Sequence, residues 1–179
     1  MKKLILGVLI MPFLFSCATH TLPEHVQSML VESVDLERYA GLWYQVARYP
    51  HSFQRRACGE STAEYTFRDD GKIAVINRCW EDAYGGALNQ QVRATGRPVN
   101  ESGNWLRVYF FKLFPANYLI IELDSRDYQW AAVTTPNKKT LWILSRTPLL
   151  DEQIYQKIIE SLVSKGFDER SIIRTSQQK

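Results

Sequence analysis

The chain has 179 residues, enough for one domain with a sizeable core, and carries 22 Lys and Arg against 19 Asp and Glu. That near-balance argues against nucleic acid and against a strongly acidic partner. Aromatic residues make up 12%, with nine tyrosines and five tryptophans, a composition suited to β-rich structure around an apolar interior.

Lys2 and Lys3 precede an apolar run, Leu4 to Phe15, broken only by Gly7 and Pro12. The run is too short to span a bilayer comfortably and has the layout of a secretory signal. It ends in Leu14-Phe15-Ser16-Cys17, which resembles the lipobox of bacterial lipoproteins: a small residue before the cut and a thiol after it. The resemblance implies removal of residues 1–16, a diacylglycerol on Cys17 and an acylated new amine. Three acyl chains, at about 0.8 kcal/mol per buried CH₂, would make that attachment to the membrane effectively permanent. Ala18, in place of Asp after the cysteine, resembles an outer-membrane address, implying the outer membrane of a Gram-negative bacterium and its periplasmic face. Loss of Lys2 and Lys3 leaves 20 basic residues against 19 acidic ones, a net charge of +1.

Cys58 and Cys79 then remain as an even pair in an oxidising compartment. A disulfide between them would close a loop of about twenty residues and add on the order of 3 kcal/mol; the alternative is two separate buried thiols. Residues 17–31, polar and containing Pro23, read as a tether, with the folded domain at 32–179.

From Val34 onward, short alternating segments are separated by turn signals. Trp43 to Tyr49 is the first expected strand. Ser61 to Arg68 and Lys72 to Arg78 flank Asp69-Asp70-Gly71, a hairpin signal. Glu81 to Asn89, with Gly85-Gly86, reads as a loop. Gln91 to Arg97 and Trp105 to Phe111 flank a second turn at Asn100 to Asn104. Tyr118 to Leu123, Gln129 to Thr134 and Thr140 to Ser145 complete the set. Eight strands joined mostly by short turns predict an all-β fold, an up-and-down antiparallel barrel. After Pro148 the period changes: Ile154, Ile158 and Leu162, with Tyr155 and Ile159 beside them, share a helical face that ends at Gly166. One C-terminal helix is therefore expected to pack outside the barrel, with Ser171 to Thr175 as an edge strand.

Gly41-Leu42-Trp43-Tyr44 resembles the Gly-x-Trp-Tyr signature of the lipocalin family at the start of its first strand. Asp127-Tyr128 with Trp130-Ala131 resembles the second lipocalin motif, with a turn one residue longer than usual. Leu141 to Pro148 resembles the third, which supplies an arginine. The motifs come in family order over about 145 residues, and the lead-in Asp35 to Tyr39 is most similar to lipocalins tethered to bacterial outer membranes. The resemblance implies that Trp43 lies across the closed end of the barrel with Arg146 stacked on its indole, a cation–π pair worth roughly 2 kcal/mol when desolvated. Gly41 would permit the tight approach of the chain. These three residues are floor, not ligand site.

Charges must face water, so their parity orients each strand. Glu64 and Arg68 place Ala63 and Tyr65 inside. Lys72 and Arg78 do the same for Val75 and Asn77, Arg93 and Arg97 for Ala94, and Arg107 for Val108 and Phe110. Glu122 orients Leu119 and Ile121 inward. Trp43 as floor implies Ala47 and Tyr49 inside, and Arg146 implies Trp142. These twelve residues are the expected ligand-binding wall. Small ones among them favour a cavity over a filled barrel, with no inward charge evident and with Tyr49, Tyr65 and Asn77 as polar handles. The expected ligand is a fatty acid, lysophospholipid or related amphiphile, for storage, transport or envelope maintenance. Alternatives are another small hydrophobic ligand (haem, pigment or signal) or an interaction protein with a filled barrel. Leu113, Phe114 and Pro115, expected in an exposed loop, suit a lid, a membrane contact or a homodimer patch. No catalytic constellation is found. His20 and His25 lie in the tether and His51 just past the first strand, without metal-ligand spacing, and no cofactor or metal is implied.

Overall fold

A computed structural model describes residues 21–50, 58–81, 86–110 and 114–175. Two short helices, α1 (Glu24–Gln27) and α2 (Leu36–Tyr39), precede β1 (Gly41–Arg48), β2 (Glu60–Phe67), β3 (Ile73–Trp80) and β4 (Leu88–Pro98). These are followed by β5 (Trp105–Phe110), β6 (Phe114–Leu123), β7 (Trp130–Thr134) and β8 (Leu141–Ser145), then α3 (Glu152–Ser164) and a two-residue β9 (Ile173–Arg174). Consecutive strands pair antiparallel from β2 through β8, and β1 closes the circle by pairing with both β8 and β2. The result is a closed eight-stranded up-and-down barrel, which leaves no main-barrel edge to template aggregation.

The hairpin turns form where turn chemistry demands them. Gly71 and Gly103 sit at φ +72° and +67°, the left-handed region that glycine enters without steric cost. Gly103 also has no room for a side chain, because a Cβ there would lie 2.5 Å from the Val34 carbonyl oxygen. β1 and β2 start slightly earlier than their alternation suggests, and two strands start well before it: β4 takes in Leu88 to Gln90, and β6 begins at Phe114. Phe114 and Pro115 thus belong to a strand, opposite Phe110 and Tyr109, and not to a loop; Leu113 lies outside the described residues.

Helix α3 is capped by Asp151, whose carboxylate accepts from the Gln153 and Ile154 amides, satisfying two otherwise orphaned donors. It buries Tyr155, Ile158, Ile159 and Leu162 against the outside of the barrel. There they join Val46, Ala47, Leu119, Ile121, Leu141 and Ile143 in one apolar cluster. Glu122 stitches the helix to β6 through the Lys165 ammonium at 2.6 Å and the Ser161 hydroxyl. β9 pairs with the last two residues of β1.

The segment expected to be a tether is not free along its whole length. Leu22, Val26 and Met29 are buried in the same cluster as α3. The Val31 amide donates to the Ile120 carbonyl and the Val34 amide to that of Ser102. Polar residues alternate with these anchors, which is why composition alone suggested a solvated linker.

Candidate functional site

The closed end is built from the three motif regions. Trp43 is fully buried, donates its indole N–H to the Tyr39 carbonyl at 2.8 Å, and carries the Arg146 guanidinium 3.8 Å above its ring. That guanidinium is a hub. Nη2 donates to the carbonyls of Arg38 and Ala40, both at 2.8 Å. Nη1 donates to Leu42 at 3.0 Å and Nε to Tyr128 at 3.2 Å. Burial lowers the arginine's pKa from its usual value, with the nearby Tyr39 opposing the shift. Gly41, at φ +99°, leaves space for the fork: a Cβ there would sit 3.2 Å from Nη1. Tyr128 has φ +56°, accepts the Asp35 amide on its hydroxyl and lies under the Arg38 guanidinium at 4.2 Å.

Above this floor is a cavity of about 560 Å³. Its wall is mostly apolar: Ala63, Tyr65, Val75, Val92, Val108, Phe110, Tyr118, Val133, Trp142 and Leu144 border it. Polar groups come from Gln45, Ser61, Asn77, Gln90, Thr135 and Thr140. Arg78 also borders the space, so a cation is present at the wall, but its guanidinium is held by Glu64 at 2.6 Å. At the floor end of the cavity, the hydroxyls of Tyr65 and Tyr118 from its wall and of Tyr39 from behind it meet at 2.8 and 3.0 Å. Burial pushes the Tyr65 phenol up to about 12 and raises those of Tyr39 and Tyr118 well above their ordinary value. Cys58 and Cys79 are bonded to each other and also border the cavity. The β2–β3 pairing runs without a shift through Ser61 opposite Cys79 and Glu60 opposite Trp80, and Cys58 reaches Cys79 from the irregular stretch just before β2.

A family model described as a lipocalin-like domain matches residues 34–177. The chain belongs to the lipocalin family. It is 39% identical over 160 residues to a Vibrio cholerae protein named outer membrane lipoprotein Blc, covering 88% of this chain and 90% of that one. The protein of the same name from Escherichia coli K12 is 36% identical over 164 residues, covering 90% and 89%. In fold, the barrel is similar to insecticyanin from the tobacco hornworm, with a TM-score of 0.66 at 17% identity over 84% of both chains.

Within this lipocalin barrel, seven of the twelve expected wall residues line the cavity: Ala63, Tyr65, Val75, Asn77, Val108, Phe110 and Trp142. Ala94 packs against the inner cluster without bordering the space. Ala47, Tyr49, Leu119 and Ile121 do not line it; they lie in or against the outer cluster beneath α3, and the cause is two β-bulges. In β1 the register shifts between Gln45 and Ala47, so Val46 is extra and every later side chain changes face. Tyr49 consequently bonds Asp168 through its hydroxyl. In β6 the shift falls between Ile120 and Glu122, so Glu122 does face outward while Leu119, three residues earlier, faces outward too. The same bulge turns Tyr118 and Ile120 inward, and Tyr118 is a wall residue that alternation assigned to the wrong face. No pattern of charges in β6 marks it. Cys17 lies outside the described residues.

Proposed function

We propose that this lipocalin is a lipid-binding protein of the outer membrane, anchored by acyl chains on Cys17 once residues 1–16 are removed. It holds a fatty acid, lysophospholipid or similar single-chain amphiphile, for lipid storage, transport or envelope maintenance. The observation that carries this reading is the cavity, apolar along its wall and set above the closed barrel end of Trp43 and Arg146. Its 560 Å³ falls within the roughly 300–1,000 Å³ of small-molecule pockets, and mostly apolar walls with a few polar groups are their usual lining. The relatives' name, outer membrane lipoprotein, and the lipobox around Cys17 support the location. Binding, not catalysis, is the activity that the wall supports. Trp142 and Phe110 offer flat apolar surface to an acyl chain, and Asn77 and Gln90 add polar groups to the same wall.

The test is native mass spectrometry of the full chain purified from membranes, with organic extraction and lipid identification. Co-purified single-chain lipid, and fatty acids whose affinity rises about fourfold per added CH₂ until the cavity is full, are the expected results. A chain that carries no lipid, and whose tryptophan fluorescence ignores fatty acids and lysophospholipids alike, would overturn the reading.

A further inference from the structure

Tyr65 and Tyr118 on the cavity wall, with Tyr39 behind them, hold more hydrogen-bond donors than they use. Tyr65 donates to the Tyr118 hydroxyl at 3.0 Å, and Tyr39 and Tyr118 share one bond at 2.8 Å. Three hydroxyl protons therefore serve two bonds. Among the described residues no further acceptor engages these hydroxyls, so one proton is left over. If Tyr118 donates to Tyr39, the spare proton sits on Tyr39, which is 1% exposed and does not border the cavity. If Tyr39 donates instead, the spare proton sits on Tyr118, which does border it. Both arrangements contain the same number of bonds. Only the second presents a donor to whatever fills the barrel, and a buried donor gains most when an acceptor is brought to it.

The surroundings decide what kind of acceptor fits. Burial raises the pKa of all three phenols, so the triad stays neutral and protonated. Arg146 is the cation whose charge reaches it, and that guanidinium is already committed to four carbonyls and the Trp43 ring. Val75, Val108, Val133 and Leu144 form the nearby wall. A carboxylate buried here would lack a compensating charge; a neutral oxygen would not need one.

We propose that the Tyr118 hydroxyl is the deep anchor of the ligand, so that the barrel takes single-chain amphiphiles oxygen end first: fatty aldehydes, alcohols and un-ionised acids. This rests on the lipid-binding reading above and narrows it, because a bulky zwitterionic headgroup cannot be the end that enters.

The experiment uses hexadecanal, isotope-labelled at its carbonyl carbon, bound to the full chain carrying Cys17→Ser, with infrared spectroscopy of the carbonyl stretch. The stretch is expected below its position in hydrocarbon solvent, and to return to that position in the Tyr65→Phe, Tyr118→Phe double variant. That variant keeps both rings but leaves no phenol hydroxyl on the cavity wall among the described residues. Tyr65→Phe alone, which still leaves two protons for one bond, should keep the lowered frequency. Affinity for the aldehyde should fall roughly 3- to 10-fold in the double variant, the worth of one neutral hydrogen bond. A carbonyl unshifted in the native chain, or a shift that survives the double variant, overturns the anchor. Binding of lysophosphatidylcholine without binding of the aldehyde overturns the anchor and leaves the lipid-binding reading standing. Binding of neither overturns both.

Discussion

Arg146→Lys keeps a positive charge over Trp43 and removes the planar fork. In the native chain the guanidinium reaches carbonyls of Arg38, Ala40, Leu42 and Tyr128 from three nitrogens. An ammonium is a point donor on a flexible stem and can satisfy only one or two of them at once. Two or three bonds are therefore lost, at about 1 kcal/mol each after discounting the charge-assisted value for the half-exposed position. The expected cost is about 3 kcal/mol against a total stability of roughly 5–15 kcal/mol. With a urea dependence of about 2 kcal/mol per molar for a domain of this size, the unfolding midpoint should fall by about 1.5 M. Urea titration followed by tryptophan fluorescence and circular dichroism reads this directly, with an unchanged slope expected. Lipid affinity of the folded variant should stay within about twofold, because Arg146 lies beneath Trp43 and does not border the cavity. A midpoint shift under about 0.5 M, or a tenfold loss of affinity at unchanged stability, would refute the assignment of this residue to the floor.

Trp142→Ala removes an indole from the cavity wall; lipid affinity measured by displacement of a fluorescent probe should drop about tenfold, the worth of one lost apolar contact surface. Replacing Cys58 and Cys79 with Ser opens a link of sequence separation 21 and should cost about 3 kcal/mol in the chain-entropy account. Calorimetry should then show a melting temperature lower by roughly 6–12 °C. The Tyr65 phenol has a folded pKa raised from 10.0 to about 12, so its contribution is complete below pH 10 and is lost as pH rises through the folded value. Urea midpoints should hold steady up to about pH 10 and fall between pH 10 and about 12, in step with tyrosinate absorbance. Tyr65→Phe should flatten part of that decline.

Much of the fold was legible because its signals are local and redundant. Hairpins announce themselves where Asp-Gly or Ser-Gly sequences separate alternating runs, and the switch from period two to period 3.6 after Pro148 marks α3 without reference to any other segment. The floor was legible for a different reason. Trp43, Tyr128 and Arg146 perform one task together, and its parts stand in fixed order along the chain. What stayed hidden was long-range. Leu22, Val26 and Met29 look like isolated apolar residues in a polar stretch, and only the groove between α3 and the barrel gives them a place to be buried.

The misplaced wall residues share one physical cause. A strand with one face in water carries alternation, and charge parity then orients most side chains on it; β2, β3 and β5 behave this way, and Ala63, Tyr65, Val75, Asn77, Val108 and Phe110 on them border the cavity. β1 and β6 lie under α3, so both of their faces are covered and both are apolar: Val46, Ala47, Leu119 and Ile121 outside, Trp43 and Ile120 inside. A strand buried on both sides loses the alternating signal. A single charge such as Glu122 then fixes parity only as far as the next bulge. Both bulges fall in the strands that the helix covers, where a shift of face exchanges one apolar environment for another and leaves no mark in composition. That is how Tyr118 came to face the cavity unannounced, and why the residue proposed as the ligand's deep anchor lies where alternation was least able to find it.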